Sequence, residues 1–176
     1  MNLIHPMKSI EQPFDADPQK SYTMAARYYT DENIYQQEKA DIFWQSWVYI
    51  GHSSQLKDAG DYITANLHGQ EVMVVRDQEG QLGAFFNVCP HRGHQLLTGC
   101  GNTRAIVCPY HSWCFDQQGQ FLRGRNLQDL KDFSNHEFNL KPVNTEQFLG
   151  FIFVQFFLKD TVHATCNRYS VRPGNL

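Results

Sequence analysis

A chain of 176 residues is long enough for one domain with a real core and some flanking segments. Hydrophobic residues make up 41% and aromatics 14%, a composition that folds rather than one that stays disordered. The formal charge of −3 offers no overall basic field for nucleic acid or an anionic membrane, which argues against both as partners.

In chain order, residues 1–29 are polar and hold three prolines, so they are expected to form an extended arm. No basic start followed by a continuous apolar run marks a signal peptide. Thr30-Asp31-Glu32 supplies a hydroxyl cap and first-turn acids. Ile34, Tyr35, Ala40, Phe43, Trp44 and Trp47 then recur at helical spacing, predicting a helix over 30–46. Tyr28, Tyr29, Trp44 and Trp47 are expected in the core.

Strand signals follow. Trp47 to Ile50, Tyr62 to Thr64, Glu71 to Arg76, Leu82 to Val88, Arg104 to Val107, Trp113 to Phe115 and Gln120 to Leu122 are short runs separated by Gly and Asp turns. They predict an all-β fold, a small antiparallel sandwich or barrel preceded by one helix. The longest apolar stretch, Phe148 to Leu158, is broken by Gly150 and Gln155. It falls short of the roughly 20 residues of a membrane span and reads as a buried strand.

Five cysteines suit a disulfide framework poorly. Cys89 and Cys108 stand apart, because each precedes a proline and sits close to a histidine. The first segment reads Cys89-Pro90-His91-Arg92-Gly93-His94 and the second Cys108-Pro109-Tyr110-His111-Ser112-Trp113. Both are expected on loops at strand ends. Two thiolates and two imidazoles can hold zinc or a mixed-ligand iron–sulfur cluster. Zinc modules usually group two cysteines on one knuckle and two histidines on a helix. Here each loop brings one of each, as a cluster with cysteines on one iron and histidines on the other requires. Proline after each cysteine removes a donor and frees neighbouring amides to point at sulfur, and Gly93 permits a tight turn. His94 is surplus to such a set. Trp113 is expected to cover the loops as apolar packing. Cys100, Cys114 and Cys166 read as ordinary small, partly buried side chains, and His5, His52, His68, His136 and His163 as surface or packing residues.

CPHRG followed by CPYHSW resembles the cluster-binding signature of the Rieske non-haem iron oxygenases, the aromatic-ring-hydroxylating dioxygenases, and is most similar to the N-terminal part of their α subunits. The resemblance extends over about residues 28–155, through Trp47 to His52, the Gly60-Asp61-Tyr62 turn, Phe85 to Val88, and Leu149 to Val154. Within the family the text is similar to the choline-, carnitine- and glycine-betaine-type monooxygenases. The resemblance implies a Rieske-type, ISP-like antiparallel β-sandwich over 47–155. It also implies a [2Fe–2S] cluster on Cys89, His91, Cys108 and His111, the histidines holding the iron that accepts the electron. Rieske proteins of the cytochrome bc type add a disulfide between the loops. Arg92, His94 and Tyr110 occupy that neighbourhood here, which predicts a potential in the lower half of the Rieske range.

The same resemblance implies a reductase or ferredoxin donor, a trimer in intact members, and a mononuclear Fe(II) in a larger catalytic domain. Residues 156–176 are too few for such a domain, and the chain is expected to bind no mononuclear iron. Asp160 and His163 faintly echo its ligands, but Arg168 stands where a partner histidine would be sought. An early end of this kind suggests a truncated gene, a frameshifted reading or a cut product. The leading reading is thus the electron-transfer part of an oxygenase α subunit in the cytoplasm. The alternatives are a stand-alone Rieske ferredoxin, disfavoured by the helix and arm before the first strand, and a remnant that folds without function.

Overall fold

The computed structural model describes residues 17, 19–20, 23–125 and 134–156. Residues 1–42 and 43–176 form two units. In the first, helix α1 covers Arg27–Thr30 and helix α2 covers Glu32–Asp41. The continuous helix expected over 30–46 is interrupted because Asp31 is extended, with φ −87° and ψ 117°. Its carboxylate accepts from the Asn33 amide at 2.9 Å, so Asp31 caps α2. The Thr30 hydroxyl instead bonds back to the Ala26 carbonyl at 3.1 Å, as a residue ending α1. Tyr28 and Tyr29 are exposed, not core. Neither α1 nor α2 buries a residue.

The second unit opens with a 3₁₀ turn at Phe43–Gln45, and ten strands follow among the described residues. They are β1 (Val48–His52), β2 (Asp61–Leu67), β3 (Gln70–Arg76), β4 (Leu82–Phe86), β5 (Cys100–Asn102), β6 (Ile106–Val107), β7 (Cys114–Phe115), β8 (Phe121–Arg123), β9 (Pro142–Phe148) and β10 (Phe151–Gln155). One sheet has the order β1-β10-β9-β4-β3-β2-β5, the other β6-β7-β8. Every pairing is antiparallel, and the protein is the predominantly β fold its alternating runs predict.

The buried strand expected within 148–158 is β10, and the start of that stretch is the end of β9 and the turn joining the two strands. Leu149 and Gly150, with φ of +49° and +86°, turn the chain at the first of the two breaks in that apolar stretch. Phe156, assigned to the tail, is buried in the core group that holds Val72 and Val74, described below. Residues 157–176, including Asp160, His163, Cys166 and Arg168, lie outside the described residues.

Strand β3 explains why Val72-Met73-Val74-Val75 shows no polar alternation. Successive side chains of a strand point to opposite faces. Val72 and Val74 enter one core group with Leu56, Ile63, Ile152 and Val154. Met73 and Val75 enter another with Phe85, Ile106, Phe115 and Trp113. All four are fully buried, each contributing about 1.5–3 kcal/mol of apolar burial. The second group contains Cys89 and Cys108, so the loops grow directly out of a packed core.

Gly119 joins that core to the β7–β8 hairpin. Its φ is +78°, and a Cβ there would lie 2.4 Å from the Phe85 ring. Its carbonyl also accepts from the Leu140 amide at 2.8 Å. Only glycine satisfies both the dihedral and the close approach.

Candidate metal centre

The first loop leaves β4 and returns toward β5; the second connects β6 to β7. Their backbones are built alike. The Cys89 amide donates to the His94 carbonyl at 2.8 Å, and the Gly93 amide to the Cys89 carbonyl at 2.9 Å. In the second loop the Cys108 amide donates to Trp113 at 2.7 Å and the Ser112 amide to Cys108 at 2.9 Å. The fifth residue of each frame is left-handed: Gly93 at φ +71° and Ser112 at φ +59°. Gly93 could be anticipated from residue type. Ser112 could not, because serine carries no such signal.

Asn87 anchors the first loop. It is 1% exposed, and its side-chain oxygen accepts from the Leu96 amide at 3.2 Å and the Leu97 amide at 2.9 Å. Its amide nitrogen donates to the Leu97 carbonyl at 2.7 Å, closing the return of the loop. Sequence reasoning gave Asn87 no role of its own. The available signal was a polar residue inside the apolar run from Leu82 to Val88.

The four candidate ligands come together as two like pairs. Cys89 and Cys108 are both buried, carry free thiols, and lie within hydrogen-bonding reach of each other. Burial pushes the Cys89 thiol up to about 11, and Cys108 beside it acts in the same direction. The amides of His91 and Arg92 point at the Cys89 sulfur and pull the other way, as the proline between Cys89 and His91 was expected to allow. The imidazoles of His91 and His111 meet edge to face, centroids 4.9 Å apart. Burial, then the charges of His111 and Arg92, holds His91 below its ordinary value, a shift that favours the uncharged ring able to ligate metal.

Nδ1 of His91 and Nδ1 of His111 are both buried and have no hydrogen-bond partner. An unsatisfied buried polar atom costs about 1–3 kcal/mol, so two in neighbouring rings call for an occupant between the loops. Among the described residues no three His, Cys, Asp or Glu side chains gather as a site for one ion. A thiol pair and an imidazole pair fit a group that presents two metal positions.

The remaining neighbours support rather than ligate. Trp113 stacks on His91, and Tyr110 lies against His111 with centroids 3.7 Å apart. His94 is exposed, its Nδ1 held 2.6 Å from the Gln95 carbonyl, and its ring leans toward Tyr110. Cys114 is buried behind the second loop, whereas Cys100 is exposed on β5 rather than partly buried. His52 caps the 3₁₀ turn at Ser53–Gln55 and His68 stacks on Phe43, both packing roles. No helix among the described residues is long and apolar enough to cross a membrane.

An antiparallel β domain whose two loops each present one thiol and one imidazole defines a class, the Rieske-type iron–sulfur domain. The model of the Rieske [2Fe-2S] domain matches residues 46–134, and the chain belongs to that family, in the group of Rieske oxygenase α subunits. It is 40% identical over 155 residues to the carnitine monooxygenase oxygenase subunit of Escherichia coli K12, covering 88% of this chain and 41% of the relative. The chloroplastic choline monooxygenase of Beta vulgaris is 31% identical over 150 residues, 84% of this chain and 34% of its own. Among solved structures, the quaternary ammonium Rieske monooxygenase CntA in complex with L-carnitine superposes with a TM-score of 0.78 at 36% identity. That match covers 87% of this chain and 43% of the other. The chain thus spans about two-fifths of the length of the carnitine-oxidising relatives it matches.

Proposed function

We propose that Cys89, His91, Cys108 and His111 hold a [2Fe–2S] cluster, with both thiolates on one iron and both imidazoles on the other. The chain then passes single electrons from a reductase or ferredoxin to a mononuclear iron outside its own sequence. The observation that carries this reading is the pair of buried, unpartnered Nδ1 atoms on His91 and His111, beside two facing thiols. When bound, such a cluster supplies a one-electron acceptor at roughly −150 to +300 mV, because neutral imidazoles replace anionic thiolates on one iron.

This chain's residues contribute the setting. The His91 and Arg92 amides stabilise negative charge on the Cys89 sulfur, and the core around Trp113, Phe121 and Phe138 excludes water from the loops. The likeness to the Escherichia coli relative runs over 155 residues, well beyond the domain matched at 46–134. That extent favours a piece of an oxygenase α subunit over a stand-alone ferredoxin. By the same likeness, we place the full-length activity among oxidations of quaternary ammonium compounds, in a cytoplasmic, trimeric assembly.

The test is the visible and electron-paramagnetic-resonance spectrum of purified protein, with iron, sulfide and zinc quantified together. Roughly two irons and two sulfides per chain, with a Rieske signal after dithionite, are expected. A colourless protein holding one zinc per chain overturns the reading.

A further inference from the structure

The formal charge is unevenly spread. Between Val88 and Arg125, the stretch carrying both candidate ligand loops, the chain has Arg92, Arg104, Arg123 and Arg125 and a single acid, Asp116. That stretch is net +3 in a chain of −3.

Topology concentrates the imbalance further. Arg92 is in the first loop itself. Arg123 pairs with Cys114, the first strand residue after the second loop, and Arg125 continues past it in the direction of that loop. All three are exposed, and among the described residues none has a carboxylate partner. Asp116 sits at the far end of the β7–β8 hairpin, where its carboxylate accepts from the Gln118 and Gln120 amides at 3.0 and 2.8 Å. Glu71, linked to the first loop's return through Gln95, is engaged by Asn66 and Gln95. Apolar side chains in the same stretch are exposed as well: Val107 is 45% exposed, Tyr110 56% and Leu122 52%. Val107 directly precedes Cys108, and Tyr110 follows it after Pro109.

Exposed apolar side chains beside charge of one sign, with no carboxylate partner among the described residues, are the make-up of a transient protein interface, in which charge steers encounter and apolar contact completes it. We propose that the loop-bearing tip is an arginine-ringed docking face for an electron-carrying protein whose own redox centre is surrounded by carboxylates. This rests on the cluster reading above and adds the chemistry of the donor. In the encounter the donor's centre loses one electron and the cluster gains it. A donor that must arrive and leave at each transfer gains more from steering than from a large buried area.

The test uses the full chain carrying its cluster. Dithionite-reduced protein is mixed with ferricyanide, an anionic one-electron oxidant, or with hexaammineruthenium(III), a cationic one. Cluster reoxidation is followed between about 0.02 and 0.3 M ionic strength. A basic tip makes the ferricyanide rate fall several-fold with salt and the ruthenium rate rise. The overall charge of −3 predicts the reverse. Arg123→Glu combined with Arg125→Glu should invert both slopes.

A second readout needs no turnover: calorimetric binding of an acidic plant-type [2Fe–2S] ferredoxin at low salt, weakened at least about tenfold in the double variant. Salt slopes following the net charge, slopes unchanged by the variant, or no ferredoxin binding would each overturn the docking proposal. Absence of any Rieske signal would instead defeat the cluster reading beneath it.

Discussion

The indole of Trp113 lies flat on the imidazole of His91, with ring centroids 4.6 Å apart and planes within 5°. The two residues belong to different loops, so this stack clamps the loops to each other from inside the core. Trp113 is 5% exposed and also packs against Phe121 and Phe138. Trp113→Ala should cost about 3–5 kcal/mol, the range for truncating a large buried aromatic, and should loosen His91. The expected result is cluster bleaching at lower temperature, measured by visible absorbance on heating. Trp113→Phe should keep the colour and shift the paramagnetic spectrum.

Replacing Cys89 or Cys108 by Ser should abolish the coloured centre, while Cys100→Ser and Cys166→Ser should leave it intact. His91→Cys or His111→Cys should lower the potential or lose the cluster, since a thiolate adds negative charge at the reducible iron. With no disulfide between the loops, the parent potential should fall in the lower half of roughly −150 to +300 mV. A redox titration with optical detection measures both, and a midpoint well above zero would contradict the second expectation.

Ser112 holds a left-handed conformation that Gly93 adopts at the matching place in the other loop. For a non-glycine residue this costs about 1–2 kcal/mol. Ser112→Gly should therefore raise the unfolding free energy by about 1 kcal/mol, less the extra chain entropy of glycine. Equilibrium urea unfolding checks it, and a loss of stability would mean that the serine hydroxyl matters more than its backbone.

In the cluster-free protein Cys89 ionises only at about 11, because burial opposes the thiolate, whereas an ordinary cysteine ionises at 9.0. Between those values the unfolded chain sheds a proton that the folded chain keeps. The associated stability is fully present below pH 9 and is lost as pH rises toward 11. Denaturant midpoints of the cluster-free protein at several pH values should decline across that window, and Cys89→Ser should flatten the decline.

What the sequence revealed depended on how local each signal was. The two Cys/His loops that the structure brings together were legible because Cys-x-His and Cys-x-x-His are short motifs, and β3 because four apolar residues in a row have few other homes. Strand β5 was missed, since Cys100-Gly101-Asn102 has no strand character and is held by pairing with Ile63, Tyr62 and Asp61. Strand β9 was missed for a related reason: Asn144, Thr145, Glu146 and Gln147 are polar, and partners set its state. The helix was overextended because apolar spacing ran on through Phe43 and Trp44, while one backbone angle at Asp31 broke its start. The Trp113–His91 stack spans two loops, so packing was expected of Trp113 but its partner could not be named.

Because β3 is dry on both sides, it acts as a party wall between two compartments. Neither compartment can soften while the other stays intact, since each draws two of its fully buried side chains from the same strand. Loss of colour and collapse of the large sheet should accordingly coincide on heating, and no half-melted species should survive with its redox centre in place.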